Sequence, residues 1–182
     1  MPTILHARVG VALMIGASAA LFAGGLAAFF VLWGSRQVDA TLPPLPVGMS
    51  LISTVAIGLA AFCCWFASRL LASGQRGNAA NGVYVALLCT GAFVGVQLAE
   101  RFGESSGMLP PSANVLHALF GFLTLLHLLH AILALVMLGR LGLQSWNGRL
   151  ETEGRGMLDG TTNWMLYLLA VWLVLMLLMF VV

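Results

Sequence analysis

Residues 112–139 read SANVLHALFGFLTLLHLLHAILALVMLG, a run without a single Asp, Glu, Lys or Arg. An α-helix rises 1.5 Å per residue, so about 20 apolar residues cross the ~30 Å hydrocarbon core of a bilayer. The run is long enough for this, whereas an isolated β-strand in lipid would leave its backbone groups without partners. The stretch therefore predicts a transmembrane helix that contains His117, His127 and His130.

Four further apolar runs of similar length predict the rest of the fold. The chain has 182 residues, of which 60% are hydrophobic and 8% charged, and its mean hydropathy is +1.00. Soluble domains carry about 25% charged residues, so a soluble globular domain, a disordered tail and a nucleic-acid binder are excluded. We predict an all-α, polytopic membrane helix bundle that forms a single domain over residues 1–182. Its five transmembrane helices are expected at residues 9–35, 47–68, 77–99, 112–139 and 160–182.

The basic residues, all of them Arg, predict the orientation of the bundle. Positive residues favour the cytoplasmic side of a membrane. A cytoplasmic N-terminus and an external C-terminus satisfy this rule, since the inner side then receives six arginines and the outer side two: Arg8, Arg69, Arg76, Arg140, Arg149 and Arg155 inside, Arg36 and Arg101 outside. The inner connections are expected at 69–76 and 140–159, with Trp164 as an aromatic anchor at the inner membrane surface.

His127 and His130 lie three residues apart, which places them on one face of the fourth span. Ionisable groups inside spans are functional hypotheses by default. A heme held by two histidines takes them from opposite sides of its ring, and one helix does not supply both. We therefore interpret the pair as neutral imidazoles that hydrogen-bond to neighbouring helices. A metal site or a proton relay is the alternative interpretation.

Other polar and small residues give weaker predictions. Gln97 and Glu100 share a face at the outer end of the third span and are expected to form one polar contact toward a partner helix, with proton transfer by Glu100 as the alternative. The three cysteines lack metal-ligand spacing and are expected to be small buried hydrophobes. No catalytic, cofactor-binding or metal-binding residue is predicted. Close helix packing is expected at the small residues Ala23, Gly24, Gly25, Gly91 and Gly95.

Three stretches carry a family resemblance. Residues 87–102, LLCTGAFVGVQLAERF, are similar to a Gly-rich helix ending in Gln-x-x-Glu-Tyr. Residues 120–133, FGFLTLLHLLHAIL, are similar to a Thr-Gly-x-His-Gly-x-His-Val helix, and LPPLPV at 42–47 resembles a proline-rich lead into a helix. Their order and spacing resemble those of subunit III of the heme-copper oxidases, the family of cytochrome c and quinol oxidases.

The chain also departs from that family pattern. Ser18 stands where the family often has a buried glutamate, and Leu126 and Leu129 replace the two glycines beside the histidines. The last span lacks the family's Trp-His-Phe-x-Asp pattern, and the two extra N-terminal helices of seven-helix members are missing. The resemblance is therefore to a divergent five-helix form, in which a role that depends on the buried carboxylate is not expected.

The resemblance implies a non-catalytic subunit of a respiratory terminal oxidase that reduces oxygen, in a bacterial inner membrane. Such a subunit belongs to an oxidoreductase complex without carrying its active site. It would pack against catalytic subunit I, with subunit II and other respiratory subunits nearby, and support stability and proton uptake. Heme and copper are then expected in the partner subunits, while a bound phospholipid is compatible with this chain. The alternatives are a membrane anchor that binds heme b or quinone with a partner chain, and a small-solute transporter.

Overall fold

The computed structural model describes residues 2–35, 47–102, 115–150 and 154–181. These residues form five α-helices, each with a stretch long and apolar enough to cross a membrane. The prediction of an all-α bundle with five such helices is confirmed, while the orientation of its termini stays a prediction. The helices are α1 (Pro2–Gly34), α2 (Val47–Ala72), α3 (Arg76–Phe102), α4 (Val115–Trp146) and α5 (Arg155–Val181).

The helices continue beyond the predicted spans at the arginine-rich end of the bundle. α2 ends at Ala72 rather than 68, α4 ends at Trp146 rather than 139, and α5 begins at Arg155 rather than 160. The expected twenty-residue connection at 140–159 is therefore wrong, because helix occupies most of it. A charge at the membrane surface limits the apolar span but does not stop a helix, since Arg and Leu are good helix formers.

Glycines in the left-handed region end two of these helices. Gly74 has φ 80° and Gly148 has φ 70°, a conformation that costs glycine no steric strain. After α2, the Gln75 N–H donates to Leu70 O at 3.0 Å and the Gly74 N–H donates to Leu71 O at 3.2 Å. This is the Schellman arrangement, which satisfies the last carbonyls of a helix. The turn chemistry, rather than the first arginine, thus sets the helix end.

The helices are not equivalent in the bundle. α2, α3, α4 and α5 form a ring in which each helix packs against the next, and α1 lies outside the ring against α4 and α5. Only 17% of the apolar window of α1 is buried inside the protein, compared with 50% for α5. α5 therefore joins the ring to the peripheral helix.

Two apolar clusters fill the interior. The larger cluster joins α2, α3, α4 and α5 and includes Phe93, Trp164 and Trp172. The smaller cluster lies where α1 meets α4 and α5 and includes Phe22 and Leu123. The expectation that Trp164 anchors the membrane surface is wrong, because its side chain is fully buried. α5 begins nine residues earlier, at Arg155, which places Trp164 roughly 13 Å along the helix.

Candidate functional site

His127 of α4 lies inside a box of aromatic rings and is 1% exposed. Trp172 of α5 stacks on it, with ring centroids 5.6 Å apart and planes 26° apart. Phe93 of α3 stands perpendicular to it with centroids at 5.6 Å, and the Phe22 ring of α1 is 6.3 Å away. One imidazole therefore touches the aromatic side chains of three other helices.

The ring nitrogens of His127 do not make the expected hydrogen bond. Both are buried without a hydrogen-bond partner among the described residues. The three rings around the imidazole present mainly carbon surface, and the indole N–H of Trp172 donates instead to Thr54 Oγ1 of α2 at 2.9 Å. A buried polar group without a partner costs about 1–3 kcal/mol. His127 therefore joins the helices by aromatic packing, and its two nitrogens oppose that stabilisation.

His130 lies one turn further along α4 and is bonded differently. Its ring stacks on Trp164 of α5, with centroids 5.5 Å apart and planes 24° apart. Nδ1 lies 2.6 Å from the backbone O of Leu126; since a carbonyl only accepts, Nδ1 carries a proton and donates it within α4. The Trp164 indole N–H donates to the backbone O of His130 at 3.3 Å. The hydrogen bond seen between α4 and α5 here therefore uses the carbonyl of His130 rather than its imidazole.

Gln97 and Glu100 do lie together at the C-terminal end of α3. The Nε2 of Gln97 donates to Glu100 Oε2 at 2.7 Å and to Ser53 Oγ of α2 at 3.1 Å. The amide thus joins the carboxylate to a neighbouring helix of the same chain. Glu100 Oε1 is buried and has no hydrogen-bond partner among the described side chains and backbone. A contact from this pair to another subunit stays a prediction.

Arg101 turns away from Glu100 and binds α4. Its guanidinium donates to the backbone O of Gly121 at 3.1 Å and to the Thr124 hydroxyl. Glu100 and Arg101, although adjacent and oppositely charged, therefore contribute to different helix contacts. Glu100 is joined to α2 through Gln97, and Arg101 links α3 to α4.

Several polar links between helices were not predicted from the sequence. Three of them involve α5, whose polar residues are spread along an otherwise apolar span. The Ser68 hydroxyl donates to Asp159 Oδ1 at 2.7 Å. The Thr162 hydroxyl lies 3.2 Å from Cys64 O. Ser18 Oγ lies 2.8 Å from the Tyr167 hydroxyl oxygen. Such pairs could not be found by spacing, because the two partners are far apart in the chain.

The described residues bring together no group of three or more His, Cys, Asp or Glu side chains able to hold a metal ion. Cys64 is buried, as expected, and Cys63 and Cys89 are partly buried. The three thiols are free. The ring of His117 lies outside the described side chains.

Close helix contacts occur at only part of the predicted glycines. At Gly25, an added Cβ would lie 2.5 Å from Leu123 Cδ2 of α4, whereas Gly24 and Gly95 face open space. The tightest backbone approach is at Gly82, which was not predicted: its Cβ would lie 2.9 Å from Ala67 Cβ of α2. Single small residues where two helices cross, rather than GxxxG spacing, mark the close packing.

The family model for cytochrome c oxidase subunit III matches residues 4–182, nearly the full length of the chain. No curated protein matches the sequence. The family match confirms the resemblance carried by residues 87–102 and 120–133, and five membrane-spanning helices agree with a multi-pass membrane protein. The chain therefore belongs to the cytochrome c oxidase subunit III family of the heme-copper oxidases.

Proposed function

We propose that this chain is the non-catalytic subunit III of a respiratory terminal oxidase that reduces oxygen in a bacterial inner membrane. It packs against catalytic subunit I and has subunit II in the same complex. The observation that carries the proposal is the family match over residues 4–182. Members of this family assemble with other oxidase subunits. We therefore expect this chain to have a structural role in the complex.

The bundle is suited to hold a neighbouring subunit. Its interior is tied by hydrogen bonds between helices, among them Gln97 to Ser53 and Trp172 to Thr54. Its surface carries large exposed apolar side chains such as Leu13, Leu88 and Leu177, which lipid or another subunit can cover. A stiff bundle with an apolar exterior supports the proposed role in the stability of the complex.

The proposed support of proton uptake is indirect. Ser18, at the position of the family's buried glutamate, lies against the Tyr167 hydroxyl oxygen at 2.8 Å. A serine hydroxyl donates and accepts hydrogen bonds but does not take up the charge changes of a carboxyl group. The chain would therefore support proton uptake by stabilising the conformation of the catalytic subunit, and Ser18 itself would not carry the proton.

Heme and copper are proposed to lie in the partner subunits. His127 and His130 belong to one helix, and both rings stack on tryptophans of α5. A bis-histidine heme needs ligands on opposite sides of its ring. A phospholipid bound to the apolar exterior remains part of the proposal.

The test is to purify the complex through a tag on this chain. Co-purification of a heme-containing catalytic subunit that consumes oxygen would support the proposal. The complex prepared without this chain should keep its heme spectrum and initial turnover but lose activity sooner. Recovery of the chain alone under mild detergent, with no heme protein attached, would contradict the proposal.

The orientation is tested separately. Reporter fusions at the C-terminus and within residues 147–154 should report opposite sides of the membrane, external and cytoplasmic respectively, because of the arginine bias. If both report the same side, the proposed crossing of the membrane by five helices is wrong.

A further inference from the structure

His127 lies where α4 meets three other helices, and its two nitrogens are polar atoms that this contact leaves unused. The buried imidazole packs against Phe22 of α1, Phe93 of α3 and Trp172 of α5. We call His127 and these three rings the aromatic box. Neither Nδ1 nor Nε2 has a hydrogen-bond partner among the described residues. The box therefore holds a titratable group by ring packing alone.

A protonated imidazole would not fit this environment. It carries two N–H donors, and each would need an acceptor that the three rings do not supply. The Trp172 indole N–H is itself a donor, to Thr54 Oγ1. Trp172 stacks on the imidazole with planes 26° apart, so its face attracts a cation. One such contact is much weaker than the hydration that a charged group loses on burial. The closed box is therefore built for the neutral ring.

The charged groups of α3 and α4 near the box do not offset a positive charge on His127. His130, one turn further along α4, is a second imidazole and carries no negative charge. From α3, the Arg101 guanidinium donates to the Thr124 hydroxyl, and Thr124 lies one turn before His127. The Glu100 carboxylate is joined toward α2 instead. The charge that α3 brings to this part of α4 is therefore positive.

The other groups packed against the box do not offset such a charge either. The described side chains of α1, within residues 9–35, include no ionisable one. On α5, the Tyr167 hydroxyl pairs with Ser18 at 2.8 Å. Asp159 lies 13 residues before Trp172, roughly 20 Å along the helix. Cys89, one turn from the box on α3, is a free thiol. Protonation of His127 would therefore oppose closure of the box.

The side of the box closed by α1 has the fewest ties to α4. α3 is bonded to α4 through Arg101 and the Gly121 carbonyl at 3.1 Å, and α5 through the Trp164 indole and the His130 carbonyl at 3.3 Å. Among the described side chains, no hydrogen bond joins α1 to α4. Phe22 instead packs on both histidines, with ring centroids 6.3 Å and 5.7 Å away. If the box opens, α1 is the helix that separates most readily.

We propose that the aromatic box is an acid-sensitive joint, in which α1 is seated on α4 while His127 is neutral and is released when His127 is protonated. An accessible imidazole takes up a proton near pH 6.5. The open form thus binds a proton that the closed form does not, so the stability of the closed box is present above about pH 6.5 and is lost as the pH falls. This joint is a property of the chain itself and goes beyond its proposed role in an oxidase.

The first experiment compares unfolding of the purified full-length chain in detergent at about pH 7.5 and about pH 5.5. Between these values, the equilibrium constant for unfolding of the wild type should rise roughly tenfold more than that of His127→Phe, as uptake of one proton near pH 6.5 requires. His127→Leu is a second variant that does not titrate. His130→Phe is the matched control: Nδ1 of His130 already donates to Leu126 O, so this variant should keep the wild-type response.

The second experiment locates the opening in the complete chain in lipid bilayers. With the three native cysteines replaced by alanine, spin labels are placed at the exposed positions Leu21 of α1 and Leu129 of α4. Their distance distribution should lengthen and broaden at the lower pH, and should stay unchanged in the His127→Phe background. A pair at the exposed Leu88 of α3 and Leu129 is the control and should keep its distance at both pH values.

Three results would overturn the joint. The first is an equal response of the wild type and both His127 variants to pH in the unfolding experiment. The second is a distance between α1 and α4 that is the same at both pH values. The third is a change of distance that persists in His127→Phe, because it would assign the acid sensitivity to another group. None of these results bears on co-purification with an oxidase, so the proposed function stands or fails separately.

Discussion

α1 and α5 are two apolar helices of similar length with opposite places in the protein. α1 spans Pro2–Gly34 and α5 spans Arg155–Val181, and α1 has the higher mean hydropathy in its apolar window. Yet 17% of that window is buried in α1 and 50% in α5. Hydropathy thus decides that both helices cross the membrane but not which of them lies inside the bundle.

The difference follows from the side chains that can bond to other helices. α5 places Asp159, Thr162, Tyr167 and Trp172 within hydrogen-bond distance of partners on α1 or α2. On α1, the described side chain with such a bond to another helix is Ser18. In lipid, where apolar surface gains little by leaving one apolar medium for another, packing and hydrogen bonds drive helix association. α5 is therefore held on several sides, and α1 mainly on one.

The largest effect should come from a tryptophan of α5. Trp164→Ala removes a fully buried ring that stacks on His130. Removal of such a side chain from a core costs about 3–5 kcal/mol. Trp33→Ala on α1, where the ring is 40% exposed, is the matched control. Thermal unfolding of the purified subunit in detergent should show a large loss for the first variant and little for the second; equal losses would remove the distinction between the two helices.

Substitutions of His127 should separate the effect of packing from that of polarity at the place where α4 meets α1, α3 and α5. His127→Ala leaves a cavity among Phe22, Phe93 and Trp172 and should cost about 2–3 kcal/mol. His127→Phe keeps a ring in the box and removes two buried nitrogens without partners, so its melting temperature should equal or exceed that of the wild type. A Phe variant as unstable as the Ala variant would show that the nitrogens have a partner that stabilises them.

A double variant of His127 and His130 tests whether the two histidines are heme ligands. The oxidase complex that contains His127→Phe and His130→Phe together should keep its heme spectrum and metal content, because one helix does not supply both axial ligands. Loss of a heme at normal amounts of the subunit would favour the membrane-anchor alternative.

The sequence predicted the parts of the structure that depend on local chain properties. The five spans follow from apolar runs between charges, and the shared face of Gln97 and Glu100 follows from helical spacing. The contacts of His127 with Trp172 and of Ser18 with Tyr167 join residues distant in the chain, so they depend on which helices become neighbours. The ends of α2 and α4 depend on Gly74 and Gly148 in the left-handed region. The predicted spans ended earlier, because the apolar run in each case stops at an arginine before the glycine.

Glycine substitutions in the ring and in the peripheral helix should also differ in their effect on stability, by less than the tryptophan substitutions do. Gly82→Ala places a Cβ 2.9 Å from Ala67 Cβ, where a short, rigid side chain cannot move aside, and overpacking costs about 1–3 kcal/mol. Gly24→Ala on α1 meets no atom within 4 Å and improves helix propensity by up to about 1 kcal/mol. Unfolding in detergent should therefore move in opposite directions for the two variants. Destabilisation by Gly24→Ala in the complex but not in the isolated subunit would instead show that another subunit covers this face of α1.

The smallest expected effect is at the bond that joins the two compared helices, between Ser18 and Tyr167. Side-chain hydrogen bonds between membrane helices average about 0.6 kcal/mol, so Ser18→Ala and Tyr167→Phe should each destabilise the bundle only slightly. A double-mutant cycle isolates the pair, since two variants that remove the same bond should together cost less than the sum of their separate effects. Oxygen consumption by the complex with Ser18→Ala should stay close to that of the wild type, because the hydroxyl contributes packing and carries no charge. Purely additive effects would show that the two hydroxyls do not stabilise each other. A large loss of turnover with the subunit still bound would show that Ser18 serves the oxidase directly, and α1 would then be more than the peripheral helix of the bundle.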